Sequence, residues 1–280
     1  MSVDLPIGVF DSGVGGLTVM HAVADVLPHE NLVYLGDTAR VPYGNRGADT
    51  VRRYAINAAT FLREREIKAL VVACNTATAY ALDALVAEFP DMPIIGVVQP
   101  VAKLAAATTR SQHVGVIGTR GTIASRCYDR TLESLSVKVT STPCPLFVPL
   151  AEEGWLDGVV TQTVAQEYLK AFGTTDVDTL ILGCTHYPLL APAIGQAIQS
   201  ICRHEVTLLD SGKATAAALV SVLKERKQLR ASSTTGSRTF LATDDPISFS
   251  RTAERFFGGE LDGVEHVDIV DVSDSRRTKT

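Results

Sequence analysis

Short β-branched runs alternate along the chain with longer stretches of helical period, the pattern of a mainly parallel sheet flanked by helices. The runs predict strands at residues 6–10, 31–35, 68–73, 93–98, 113–117, 136–140, 179–182, 205–209, 239–242 and 265–269. Helices fill most of the intervals. Residues 50–66, for example, place Val51, Tyr54, Ala55, Ala58, Phe61 and Leu62 on one stripe with charges opposite, which reads as core contact.

The pattern also repeats. IGVFDSG from Ile7 is echoed by VGVIGTR from Val114, and LVVACNT from Leu70 by LILGCTH from Leu180. Gly8 to Cys74 and Gly115 to Cys184 are closely similar spans, so two similar α/β lobes would each deliver one cysteine from a strand end that feeds a helix. The first unit is expected to run over 1–98, with Gln99–Pro100 as a hinge whose proline opens the next helix. The second is expected over 99–206. LLDSGKAT from Leu208 resembles the early FDSG, so 207–270 is expected to return and complete the first lobe, with the active site between the lobes. Residues 231–238 read as a loop and 271–280 as a flexible tail.

Composition narrows the class. In 280 residues, 46% are hydrophobic and 20% charged, enough apolar material for a sizeable core. The formal charge of −5 is spread without basic blocks, which argues against a nucleic-acid partner. No apolar run approaches the roughly 20 residues of a membrane span. The opening MSVDLPIGVF has an acid where a secretory leader carries base, so the chain is expected to be cytoplasmic. Five cysteines at irregular spacing, with no CxxC pair, give neither a disulfide framework nor a zinc knuckle.

Two of those thiols have a chemical setting. Ligands of parallel sheets collect at the carboxyl ends of strands, where a cysteine meets free helix amides and a positive dipole end, both favouring thiolate. Cys74 is followed by Asn75 and Thr76, and Cys184 by Thr185, His186 and Tyr187–Pro188. Cys127, Cys144 and Cys202 lack this setting and read as structural. Two thiols facing one pocket suit a racemase, because one ionised and one protonated group can exchange roles across the two faces of a carbon. Asp11 and Ser12 in FDSGVGG would sit beside Cys74, and His186 beside Cys184; otherwise Asp11 is a turn or helix cap and His186 a structural histidine.

GVFDSGVGGLTV, YLGDTARVPYG, VVACNTATA, FVPLAEEG and LGCTHYPLL together resemble the cofactor-independent aspartate/glutamate racemase family, over about residues 7–212. The resemblance implies a two-lobed α/β enzyme that interconverts L- and D-glutamate for bacterial peptidoglycan synthesis, without pyridoxal phosphate or metal, in a family where homodimers are common. It implies Cys74 acting on D-glutamate and Cys184 on L-glutamate, Asp11 and His186 assisting, and Glu152 supporting His186. Ser12, Asn75, Thr76 and Thr185 would hold substrate, Tyr43 and Gly44 would shape the pocket, and Thr119 and Thr122 are further candidates. Aspartate racemases of the family usually carry an acid where His186 stands, so the resemblance favours glutamate.

Three rivals from other classes remain at this point. A nicotinamide dehydrogenase would use the glycine-rich turn and Asp37 as its ribose acid, but Thr18 occupies the place of the third glycine. A thiol–zinc hydrolase on Cys74, Cys184 and His186 would lack a clear fourth ligand. A binding protein for a small amino acid would merely pack both cysteines.

Overall fold

The computed structural model describes residues 2–271; apart from Asp271, the expected tail lies outside them. A strand forms at each expected place: β1 (Ile7–Asp11), β2 (Leu32–Gly36), β3 (Ala69–Val72), β4 (Ile94–Gly96), β5 (His113–Gly118), β6 (Lys138–Pro143), β7 (Thr179–Gly183), β8 (Thr207–Asp210), β9 (Arg238–Ala242) and β10 (Glu265–His266). Between them lie α1 (Leu17–Val26), α2 (Ala48–Glu64), α3 (Asn75–Glu88), α4 (Val98–Thr108), α5 (Arg120–Ala124) and α6 (Cys127–Ser134). These are followed by α7 (Phe147–Glu152), α8 (Val159–Leu169), α9 (Ala191–Ile201), α10 (Ser211–Glu225) and α11 (Pro246–Phe257).

The strands build two sheets, both parallel throughout. One has the order β10-β9-β2-β1-β3-β4 and the other β6-β5-β7-β8. Central strands β1, β3 and β7 are buried along their whole length, which is why they read as unbroken apolar runs instead of alternating ones. The run β2-β1-β3-β4 has the same order as β6-β5-β7-β8, so the repeat seen in the sequence is a repeat of topology.

Boundaries shift where local backbone geometry intervenes. β6 begins at Lys138 because Ser136, at φ 62°, closes the turn after α6. α2 runs Ala48–Glu64, two residues earlier at each end than its stripe predicts, and Glu66 leaves the helical region at φ 57°. The expected return to the first lobe at 207 comes one strand later, because β8 pairs with β7 in the second sheet. The chain crosses back through α10, which packs against both α1 and α4. Gln99 and Pro100 lie in the first turn of α4, where proline's missing N–H costs nothing.

At the amino ends of the first-sheet strands, a buried ion pair ties distant segments together. Lys68 Nζ donates to Glu30 Oε2 (2.5 Å), Val3 O (2.6 Å) and Gln228 O (2.8 Å). Glu30 Oε1 accepts the backbone N–H of Arg230.

Candidate active site

At the carboxyl ends of β1, β3, β5 and β7 a cavity of about 270 Å³ opens between the two sheets. Asp11, Ser12, Tyr43, Gly44, Cys74, Asn75, Thr76, Thr119, Glu152, Cys184, Thr185 and His186 all line it. Thr122 does not. It stands behind the wall, in a triangle of hydroxyls with Thr76 (3.1 Å) and Thr119 (3.0 Å) that joins the first lobe to the second.

Cys74 is the N-cap of α3, and its Sγ accepts the Ala77 N–H at 3.4 Å while lying 3.7 Å from Ser12 Oγ. These contacts favour the thiolate, as expected. Burial and the nearby Asp11 charge outweigh them and push the thiol up to about 12, which favours the protonated form of Cys74. Asp11 is both the turn residue and more than that. Its Oδ2 accepts the Gly13 N–H at 3.0 Å, whereas Oδ1 is buried with no partner in the protein. Burial raises its pKa against the opposing pull of His186.

Cys184 sits differently. No α-helix starts directly after it: a short 3₁₀ turn, Tyr187–Leu190, intervenes before α9, so the expected helix dipole gives way to a side-chain partner. His186 Nδ1 is 3.9 Å from Cys184 Sγ and 3.4 Å from Thr185 Oγ1, and Nε2 pairs with Glu152 Oε1 at 2.9 Å. Burial pulls the imidazole toward neutrality, but its bonds to Cys184 and Glu152 and their charges prevail and lift it to about 10. His186 is therefore an imidazolium at neutral pH, aimed at a sulfur. The second lobe carries its positive charge next to Cys184, and the first lobe keeps Cys74 neutral.

Glycines allow the lobes to meet at this point. A Cβ on Gly15 would lie 2.3 Å from Thr185 Oγ1 and 2.4 Å from His186 Nδ1, and one on Gly16 would lie 2.4 Å from Asp11 Cβ. Gly44 packs its backbone on Thr119, where a Cβ would come within 2.8 Å of the threonine's own Cβ. Thr18, which breaks the dinucleotide fingerprint, donates to Thr185 O at 3.1 Å. Asp37, the ribose acid of that rival, is spent on Tyr43, Arg40 and Thr243. Among the described residues, no group of three or more His, Cys, Asp or Glu is placed to hold a metal ion.

Several participants carry no mark in the sequence. Tyr128, buried on α6, donates to Asn75 Oδ1 at 2.7 Å, leaving the buried Nδ2 as a donor without a protein partner. Val41, Pro42, Asn45, Pro145, Val148 and Pro149 complete the wall. An apolar or proline position in a loop looks the same in sequence whether it lines a cavity or covers a core.

A family model described as Asp/Glu/Hydantoin racemase matches residues 13–219. The chain is 48% identical to the glutamate racemase of Geobacter metallireducens, over 94% of this chain and 96% of that one. It is 45% identical to that of Chlorobaculum parvum, over 94% and 96%. The structure is similar to that of Francisella tularensis glutamate racemase in complex with D-glutamate, with a TM-score of 0.89 and 36% identity over 95% of this chain and 98% of that one. It is also similar to Thermus thermophilus glutamate racemase in complex with β-chloro-D-alanine, with a TM-score of 0.86 and 41% identity over 96% and 99%.

Proposed function

The chain belongs to the Asp/Glu/Hydantoin racemase family, and on that premise we propose how it interconverts L- and D-glutamate: the α-proton leaves to one thiol and returns from the other on the opposite face. The observation that carries this reading is the asymmetric pair in a single cavity, Cys184 beside a charged imidazole and Cys74 held as a neutral thiol. With L-glutamate bound, Cys184 as thiolate takes the α-proton while the thiol of Cys74 supplies one to the other face. With D-glutamate the roles reverse, and Asp11, next to Cys74, assists removal of the thiol proton. One turnover from L leaves Cys184 protonated and Cys74 as thiolate, and either the reverse turnover or proton exchange with solvent restores the starting state.

An α-proton next to a carboxylate is a weak acid, so the barrier must fall by electrostatics and position. Two atoms are already free for that work. Asn75 Nδ2, oriented by Tyr128, is a donor for the substrate carboxylate as carbanion character develops, and Asp11 Oδ1 is an acceptor for the ammonium. Ser12, Thr76, Thr119 and Thr185 supply hydroxyls around them, while Tyr43 and Gly44 close the wall. Thr122 acts through Thr76 and Thr119.

The deciding measurement follows circular dichroism of D-glutamate and, separately, D-aspartate with purified, reduced protein. Decay of the glutamate signal alone supports the reading. Decay of aspartate moves the substrate, and two flat traces defeat the reaction.

Among the described residues, no helix is long and apolar enough to cross a membrane. The five cysteines are free thiols, which supports work in a reducing cytoplasm, where D-glutamate would feed peptidoglycan synthesis. Exposed Leu146, Trp155, Val159 and Val160 support a homodimer, measurable as a doubled mass in solution.

A further inference from the structure

The helix α11 lies outside the stretch that the family model matches, yet its last turn reaches the acid–base machinery of the opposite lobe. Its body belongs to the first sheet: Phe249 packs on Tyr34 and against the backbone of Gly36, and α1 covers its flank. At its end, the Phe256 ring meets the His186 ring edge-on, with centroids 4.9 Å apart and planes at 70°. The preceding residue, Arg255, donates through Nη1 to the carbonyls of Glu152 (2.8 Å) and Ala151 (3.2 Å). Gly154, at φ 75°, has no side chain where a Cβ would press within 2.9 Å of that guanidinium.

Two neighbouring residues thus hold both members of one hydrogen-bonded pair. Arg255 fixes the carbonyl end of α7 from which the Glu152 carboxylate projects, and Phe256 covers the imidazole that this carboxylate orients. We infer that Arg255 and Phe256 are positioning residues for the Glu152–His186 pair, and that α11 thereby governs proton transfer at Cys184 and leaves Cys74 untouched. The inference rests on the two-thiol reading. It makes the first lobe, which carries Cys74, responsible for the geometry of the base in the second. Phe256 excludes water from the imidazolium, and a charge held away from water keeps its partner more firmly.

Racemisation alone cannot reveal this sidedness. Enantiomers have equal free energy, so any variant loses kcat/KM for both directions in the same proportion. Elimination from the two enantiomers of threo-3-chloroglutamate needs only one thiol: the α C–H bond breaks to the thiolate, the Cα=Cβ bond forms and chloride leaves from Cβ. The resulting enamine hydrolyses to 2-oxoglutarate and ammonium, and chloride release is the readout. Cys184→Ser sets the scale, since on the two-thiol reading it spares the D enantiomer alone.

Phe256→Leu and Arg255→Met are then expected to slow release from the L enantiomer about tenfold while the D enantiomer stays within about twofold, and Arg255→Lys to recover most of the loss. Phe257→Leu removes a ring from the same turn, but that ring packs on Phe240 and His21, so both eliminations should persist. Equal losses on the two enantiomers, or none on either, would overturn the role of α11 while leaving the thiols their division of labour. If Cys184→Ser itself shows no sidedness, that division falls and the inference falls with it.

Discussion

Two cysteines of identical chemistry meet different surroundings here because their neighbours differ. Around Cys74 the strongest influences are burial and a carboxylate, and around Cys184 an imidazolium backed by Glu152. Cys74→Ser and Cys184→Ser are each expected to lower kcat for racemisation by about a hundredfold or more, the usual contribution of a positioned acid or base; a variant that keeps full turnover would show that its thiol only packs. His186 also ties stability to pH. In the unfolded chain the imidazole titrates near 6.5 and in the fold near 10, so the folded state holds the proton more tightly. That stabilisation is whole below about pH 6.5 and drains as pH rises toward 10. From pH 6.5 to about 7.5 the Cys74 thiol, whose ordinary value is 9.0, stays protonated in both states, so a fall in melting temperature across this narrower window does not come from it. His186→Gln should flatten it, and identical slopes in both proteins would refute the assignment. The identities of these residues were legible because Cys, His and Asp stand in short strand-end motifs. Their protonation was not, since sequence shows the helix amides that favour a thiolate but not the depth of burial that opposes it. Tyr128 escaped for a related reason: nothing local says that a tyrosine on α6 meets Asn75 on α3.

At the scale of elements, the central strands were readable because fully buried parallel strands are continuous apolar runs. Their ends were less so, because a single residue at positive φ such as Ser136 moves a boundary without altering the hydrophobic pattern. The glycine-rich turn between β1 and α1 has a reason other than phosphate binding. It lets the start of α1 press on Thr185 and His186, as the space around Gly15 requires. Gly15→Ala should therefore cost about 1–3 kcal/mol, the usual range for overpacking, and should lower kcat as well by displacing the imidazole. Gly259→Ala, at a site with nothing within 4 Å of the added carbon, serves as the control. Melting temperature and turnover measured together decide it, and a Gly15→Ala protein with unchanged kcat would mean that His186 tolerates displacement.

At the scale of the whole molecule, the amino ends of the strands hold the fold and the carboxyl ends carry the chemistry. Lys68→Met would leave Glu30 charged and unpaired in the interior, a loss of about 3–5 kcal/mol for a broken buried pair. Calorimetry should register it as a melting temperature lower by about 10 °C. KM for glutamate should not change, because Lys68 lies at the opposite strand end from the cavity; an altered KM would show coupling between the two ends. The repeat in the sequence anticipated two lobes, but not that β8 stays with the second sheet, because strand pairing is decided across space and leaves no mark in the run itself. The doubled strand order has a final meaning for catalysis. A protein of L-residues can never contain a mirror plane, yet its task is to treat mirror images alike. Rotation offers a substitute: a half-turn about an axis lying in the plane of a flattened carbon exchanges its two faces. Two copies of one topology that open their strand ends on one cavity supply the ingredients of such a half-turn, a strand-end cysteine from each copy.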